Sequence, residues 1–106
     1  MGWPMERFGS PEARLIWEGR PTKGARRVLP SNLHEKTARM FDVILNTATL
    51  QDCVGYPPGW RFKELHGRRR GTYQVRIDRR YRIRFRWDPT LGAVGIIVGE
   101  FHGDDD

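Results

Sequence analysis

The sequence predicts an α+β domain whose N-terminal helices pack on one face of a mainly antiparallel β-sheet. Three observations carry that expectation. Apolar residues recur at helical spacing in the first half, the period changes to two after residue 59, and the alternating runs follow one another across short turns. The chain has 106 residues, of which 38% are hydrophobic and 30% charged. That is one domain's length with a modest core, and it excludes a collagen-like, low-complexity or wholly disordered chain.

Ser10-Pro11-Glu12 combines an N-cap, a proline suited to the first helical position and a first-turn acid. It opens a short helix through Leu15, Ile16 and Trp17 that Gly19 stops. Residues 20–29 hold Pro21, Gly24 and the basic Lys23, Arg26 and Arg27, and read as a connector with one helical turn. Pro30-Ser31 then starts the clearest helix. Leu33, Thr37, Met40, Phe41, Ile44, Leu45 and Ala48 share a face, with Glu35, Arg39, Asp42 and Asn46 elsewhere. The pattern predicts about five turns at 3.6 residues per turn, with the Met and Phe stripe as core. Residues 47–59, with the Tyr56-Pro57-Pro58-Gly59 run, read as loop.

Trp60 to Leu65 is a candidate strand. Tyr73, Val75 and Ile77 alternate with Thr72, Gln74, Arg76 and Asp78, and Tyr81, Ile83, Phe85 and Trp87 alternate with Arg82, Arg84 and Arg86. Around Asp78-Arg79-Arg80 these make an antiparallel hairpin. A turn at residues 88–92 leads into an apolar strand from Val94 to Phe101. If Ile83 and Phe85 face the helices, then Arg82, Arg84 and Arg86, joined by Arg76, line the opposite face. Such a face suits an RNA backbone better than a DNA major groove, which takes a helix or ribbon. An ordinary solvated sheet face is the alternative.

The charge distribution points the same way. The net charge is +6, and sixteen of the nineteen basic residues are arginine. Between Gly59 and Trp87 eleven Lys and Arg face two acids, Glu64 and Asp78, which is +9 within 29 residues. Such a field favours a polyanionic partner, and arginine adds bidentate phosphate geometry. Asp104-Asp105-Asp106 reads as a solvated acidic tail. The longest uncharged apolar run, residues 89–99, is about half of the roughly 20 residues a bilayer needs. No signal peptide is visible before residue 11, and the lone Cys53 forms no internal disulfide and no Cys-rich zinc site. A reducing, cytoplasmic setting without a membrane is expected.

Three histidines could move protons near neutral pH: His34, His66 and His102. His34 reads as structural. His66 precedes Gly67 and the triple arginine Arg68-Arg69-Arg70, while His102 follows the last strand beside Glu100 and Phe101. Two histidines among arginines suit RNA cleavage without a metal. One takes the 2′-OH proton, one protonates the leaving 5′-oxygen, and arginine stabilises the phosphorane. Spacing alone makes this a weak signal. No phosphate-binding Gly-rich loop, no His-Glu-x-x-His and no grouping of acids for two metals is present.

The run from Leu65-His66-Gly67 through Tyr73-Gln74-Val75-Arg76-Ile77 and Tyr81-Arg82-Ile83-Arg84-Phe85-Arg86-Trp87, closed by Gly99-Glu100-Phe101-His102, resembles the HigB branch of the RelE/ParE toxin superfamily. Leu15-Ile16-Trp17-Glu18-Gly19 and the Leu29-Pro30 helix start match the family's helical half. The resemblance covers residues 11–102 and implies a RelE-like microbial ribonuclease-type fold in one toxin domain, followed by the tail at 103–106. It implies the toxin of a type II toxin–antitoxin system, a ribosome-dependent, metal-independent mRNA endoribonuclease that needs no cofactor. The partners it implies are the ribosomal A site with mRNA, a helix-turn-helix antitoxin (HigA-like), and operator DNA through the antitoxin complex. By position His102, Arg82, His66 and Glu100 would be catalytic, and Arg68, Arg70, Arg76, Arg84, Arg86 and Phe101 would bind RNA. His66 stands where the family usually has lysine, and Phe101 where tyrosine is common. Two other readings remain open: a non-catalytic RNA- or ribosome-binding module acting in repression, and a gyrase-directed relative.

Overall fold

The computed structural model of the chain describes residues 7–101. His102 and the acidic tail lie outside the described residues. Helix α1 (Pro11–Trp17) begins as the sequence requires: the Ser10 hydroxyl accepts the N–H of Ala13 at 3.1 Å, and Gly19 leaves the helix at φ 77°. The expected connector contains a full short helix, α2 (Lys23–Val28), whose first turn is capped by the Thr22 hydroxyl accepting the Ala25 N–H. A 3₁₀ turn (Ser31–Leu33) leads into α3 (His34–Leu45). Thr37, Met40, Phe41 and Ile44 are buried, as the periodicity predicts. The helix stops at Leu45, short of the expected five turns. There Asn46 Nδ2 donates to the Asp42 carbonyl and Thr47 Oγ1 to that of Val43, satisfying carbonyls that a further turn would have used.

The sheet comprises β1 (Lys63–Glu64), β2 (Thr72–Arg76), β3 (Arg82–Asp88) and β4 (Gly92–Gly99), antiparallel in the order β1-β2-β3-β4. Strand β1 is shorter than the run from Trp60 to Leu65. Residues 58–60 form a 3₁₀ turn and Arg61 takes a left-handed φ of 51°, so pairing starts only at Lys63. Ile83 and Phe85 of β3, Val75 of β2 and Ile96 of β4 are all at most 1% exposed and pack with Ile16, Met40, Phe41 and Ile44 of the helices. The helices therefore cover one sheet face.

Residues upstream of the predicted core also join it. Phe8 bridges Ile96 in parallel, the Gly9 N–H donates to the Ile96 carbonyl at 2.7 Å, and the Phe8 ring packs 5.4 Å from both Trp17 and Phe41. A Cβ on Gly9 would lie 2.9 Å from the Gly95 backbone, so only glycine allows this approach. Arg7 is 3% exposed; its Nε donates to the Ala93 carbonyl and its Nη2 to that of Leu45, tying β4 to the end of α3. No described helix is long and apolar enough to cross a membrane.

Candidate functional site

Residues paired across antiparallel strands share a sheet face. Lys63 pairs with Gln74, Gln74 with Arg84, Arg76 with Arg82, and Thr72 with Arg86, so these seven side chains form the face opposite the helices. Where the β2–β3 turn meets this face, Arg61, Lys63, Gln74, Arg76, Arg79 and Arg82 line a cleft of about 350 Å³. Five of the six carry positive charge and none is an acid. Low-dielectric walls beneath a cluster of one sign focus the field outward.

The sequence pattern places Arg82 and Arg84 on an open face, yet they are only 8% and 7% exposed. Among the described residues, neutral groups take several of their donors. Arg82 Nη1 donates to the carbonyls of Asp78 (2.7 Å), Tyr81 (3.2 Å) and Arg79 (3.3 Å), while Arg76 Nε donates to the Asp78 carbonyl at 3.1 Å. The turn is fixed by the Asp78 carboxylate, which accepts the N–H groups of Arg80 and Tyr81, each at 2.9 Å. Arg84 Nε donates to Gln74 Oε1 at 2.9 Å, and its guanidinium carbon lies 4.4 Å from the centre of the Phe101 ring. Phe101 reaches it over Gly99, where a Cβ would stand 3.2 Å from the ring. Glu100 is held by Arg80 through two bonds, Nε to Oε2 at 2.9 Å and Nη2 to Oε1 at 3.1 Å. That hydrogen bonding, reinforced by the carboxylate charge, raises the Arg80 pKa.

The predicted site residues thus fall into separate places. Arg76 and Arg82 share the cleft. Arg84 and Arg86 line a smaller hollow of about 180 Å³ with Arg69, Thr72, Phe85, Gly95 and Ile97. His66 and Arg70 share a third hollow with Glu64, Leu65 and Gly67, and Arg68 is exposed on the 3₁₀ turn Gly67–Arg69. Four cleft residues escaped sequence reasoning: Arg61, Lys63, Gln74 and Arg79. Gln74 was within reach, since its alternation with Val75 sets it on the arginine face. Arg61 and Arg79 sit in turns, where no period assigns a side. His34 is structural as expected, its Nε2 lying 2.8 Å from the Leu29 carbonyl. Cys53 is buried, and burial raises its thiol pKa. Among the described residues no group of three or more His, Cys, Asp or Glu is placed to hold a metal.

An antiparallel sheet with helices on one face and arginines on the other is the α+β arrangement expected of a RelE-like toxin. The family model described as the RelE-like toxin of type II toxin–antitoxin system HigB matches residues 22–97. Toxin HigB-1 of Vibrio cholerae serotype O1 (strain ATCC 39315 / El Tor Inaba N16961) is 33% identical over 61 residues, a match that covers 58% of this chain and 63% of that protein. The match therefore spans less than two thirds of that relative's length. The chain belongs to the HigB-like family of RelE-like toxins.

Proposed function

We propose that the protein is the toxin of a type II toxin–antitoxin pair and a ribosome-dependent mRNA endoribonuclease that works in the cytoplasm without a metal. The observation that carries this reading is the cleft lined by Arg61, Lys63, Gln74, Arg76, Arg79 and Arg82, with no acid among the described residues that line it. Arg82 and Arg76, fixed by the carbonyls of the β2–β3 turn, hold the scissile phosphate and stabilise the phosphorane. The proton on the 2′-oxygen leaves as that oxygen attacks phosphorus. The 5′-oxygen departs with a proton, leaving a 2′,3′-cyclic phosphate. His102 is the proton-transfer candidate at this phosphate, while His66, which shares a hollow with Arg70 apart from the cleft, would serve only a phosphate at that end of the face. Glu100, gripped by Arg80, assists by anchoring the chain that leads to His102. Free activity of this kind harms its host, so a helix-turn-helix antitoxin that neutralises it and carries the pair to operator DNA is the expected partner.

One observation favours a second reading, a binding module without chemistry. Phe101 brings no hydroxyl and its ring is engaged with Arg84. Primer extension on a reporter mRNA in a purified translation system, with and without ribosomes, separates the two. Cuts that require ribosomes and disappear in His102→Ala and Arg82→Ala support the nuclease. Intact mRNA on stalled ribosomes supports the module. Intact mRNA with normal translation refutes both and turns attention to DNA gyrase.

A further inference from the structure

The smaller hollow on the arginine face is built by an irregularity in β4. Arg84 pairs with Ile97 and Arg86 with Val94, so Gly95 and Ile96 together oppose Phe85. This bulge depends on Gly95, whose φ of 61° is left-handed and costs glycine no steric strain. The Cζ, Nη2 and Nη1 atoms of Arg86 lie 3.2, 3.2 and 3.3 Å from where a Gly95 Cβ would be. The guanidinium therefore rests on bare backbone, in space a side chain would take. It forms no hydrogen bond or ion pair with any other described residue, which leaves its N–H donors for a ligand.

We propose that this hollow is a second phosphate subsite, taking a phosphodiester of single-stranded RNA other than the one seated at Arg82. The inference rests on the RNA reading given above and adds the extent of the contact. Arg69, Arg84 and Arg86 supply charge, Thr72 supplies a hydroxyl, Ile97 gives an apolar side chain on the same face, and no acid is among the described residues that line the hollow. Its volume of about 180 Å³ has room for a phosphate group rather than a whole nucleotide. Arg82 and Arg86 are four residues apart on β3, about 13 Å at the usual strand rise of roughly 3.3 Å per residue. One phosphate cannot serve both. The RNA is either the substrate strand or ribosomal RNA, and the chemistry of recognition is the same.

The test measures the salt dependence of binding for the full chain and for Arg86→Ala. The probes are a 2′-O-methyl hexanucleotide, the matching dinucleotide with its single phosphodiester, and vacant ribosomes. Loss of one phosphate contact lowers the slope of log K against log salt by about 0.7, so a tenfold rise in salt weakens the wild type about fivefold more than the variant. That difference with the hexanucleotide but not the dinucleotide assigns the hollow to the substrate strand. The difference with ribosomes alone assigns it to ribosomal RNA. Arg27→Ala, which removes an exposed charge on the helical side, controls for net charge. Equal slopes for wild type and Arg86→Ala, or an equal loss in Arg27→Ala, overturn the subsite and leave the RNA reading intact. A wild type that binds none of the probes overturns both.

Discussion

Replacing Gln74 by leucine removes the acceptor of a charged hydrogen bond while keeping a side chain of similar reach. Gln74 is 2% exposed and Arg84 7%, so water has no ready access to the Arg84 Nε that loses its partner. A hydrogen bond to a charged group contributes about 1.5–3 kcal/mol, and the apolar gain of leucine offsets part of that, leaving a net loss of about 1–2 kcal/mol. For a domain of this size each kcal/mol moves Tm by roughly 4–8 °C, so Gln74→Leu should unfold about 5–15 °C lower. Gln74→Glu makes the complementary case. A carboxylate there meets Arg84 directly and should hold or raise Tm, yet it places negative charge in the cleft and should weaken RNA binding. Thermal unfolding followed by circular dichroism, with RNA titrations on the same samples, measures both. If Gln74→Leu melts with the wild type, or Gln74→Glu binds RNA as well as the wild type, the bond does not organise this face.

Two further outcomes follow from buried polar groups on the helical side. Burial raises the pKa of Tyr56 and of the Cys53 thiol, and the Tyr56 hydroxyl lies 2.6 Å from Thr47 Oγ1. The folded state keeps protons that the unfolded chain gives up near pH 8.5 for cysteine and about 10 for tyrosine. Stability should therefore fall as pH rises through that range, and Tyr56→Phe should flatten the upper part of the decline in urea titrations from pH 8 to 10.5. Arg7→Met strands the carbonyls of Ala93 and Leu45, so the urea midpoint should drop by the equivalent of about 2 kcal/mol with an unchanged m-value. An unchanged midpoint would show that Arg7 does not tie β4 to α3.

The parts of the fold that a period specifies were legible in the sequence. The face of α3 and the alternation of β2 and β3 follow from burying Met40, Phe41, Val75, Ile83 and Phe85 on one side. What the sequence concealed depends on contacts between distant positions. Arg7 reads as a charged residue near a terminus, and its bonds to the carbonyls of residues 45 and 93 join positions that no local pattern connects. The late start of β1 turns on the left-handed Arg61, which no propensity announces. The site was legible as a face rather than as a set of pockets. Alternation put Arg76, Arg82, Arg84 and Arg86 together, but their division between two hollows comes from the bent β2–β3 turn and the Gly95 bulge.

How a small domain buries cations without losing its positive field is the physical problem this face solves. A buried guanidinium needs its donors satisfied, and the common solution is a carboxylate. An acid beside each arginine would cancel the charge that attracts a polyanion. Among the described residues, dipoles supply part of the compensation. Backbone carbonyls of residues 78, 79 and 81 take Arg82, the Gln74 amide takes Arg84 Nε, and the Phe101 ring lies against the Arg84 guanidinium. Among the described residues, the carboxylates of Asp78 and Asp88 accept N–H groups of their own turns, and Glu100 is held by Arg80 at the rim. Neutral partners hold the arginines in fixed positions while the cleft keeps its charge. The same logic explains why glutamine stands at position 74, where glutamate would make a stronger bond to Arg84: the tighter fold would come with a weaker field.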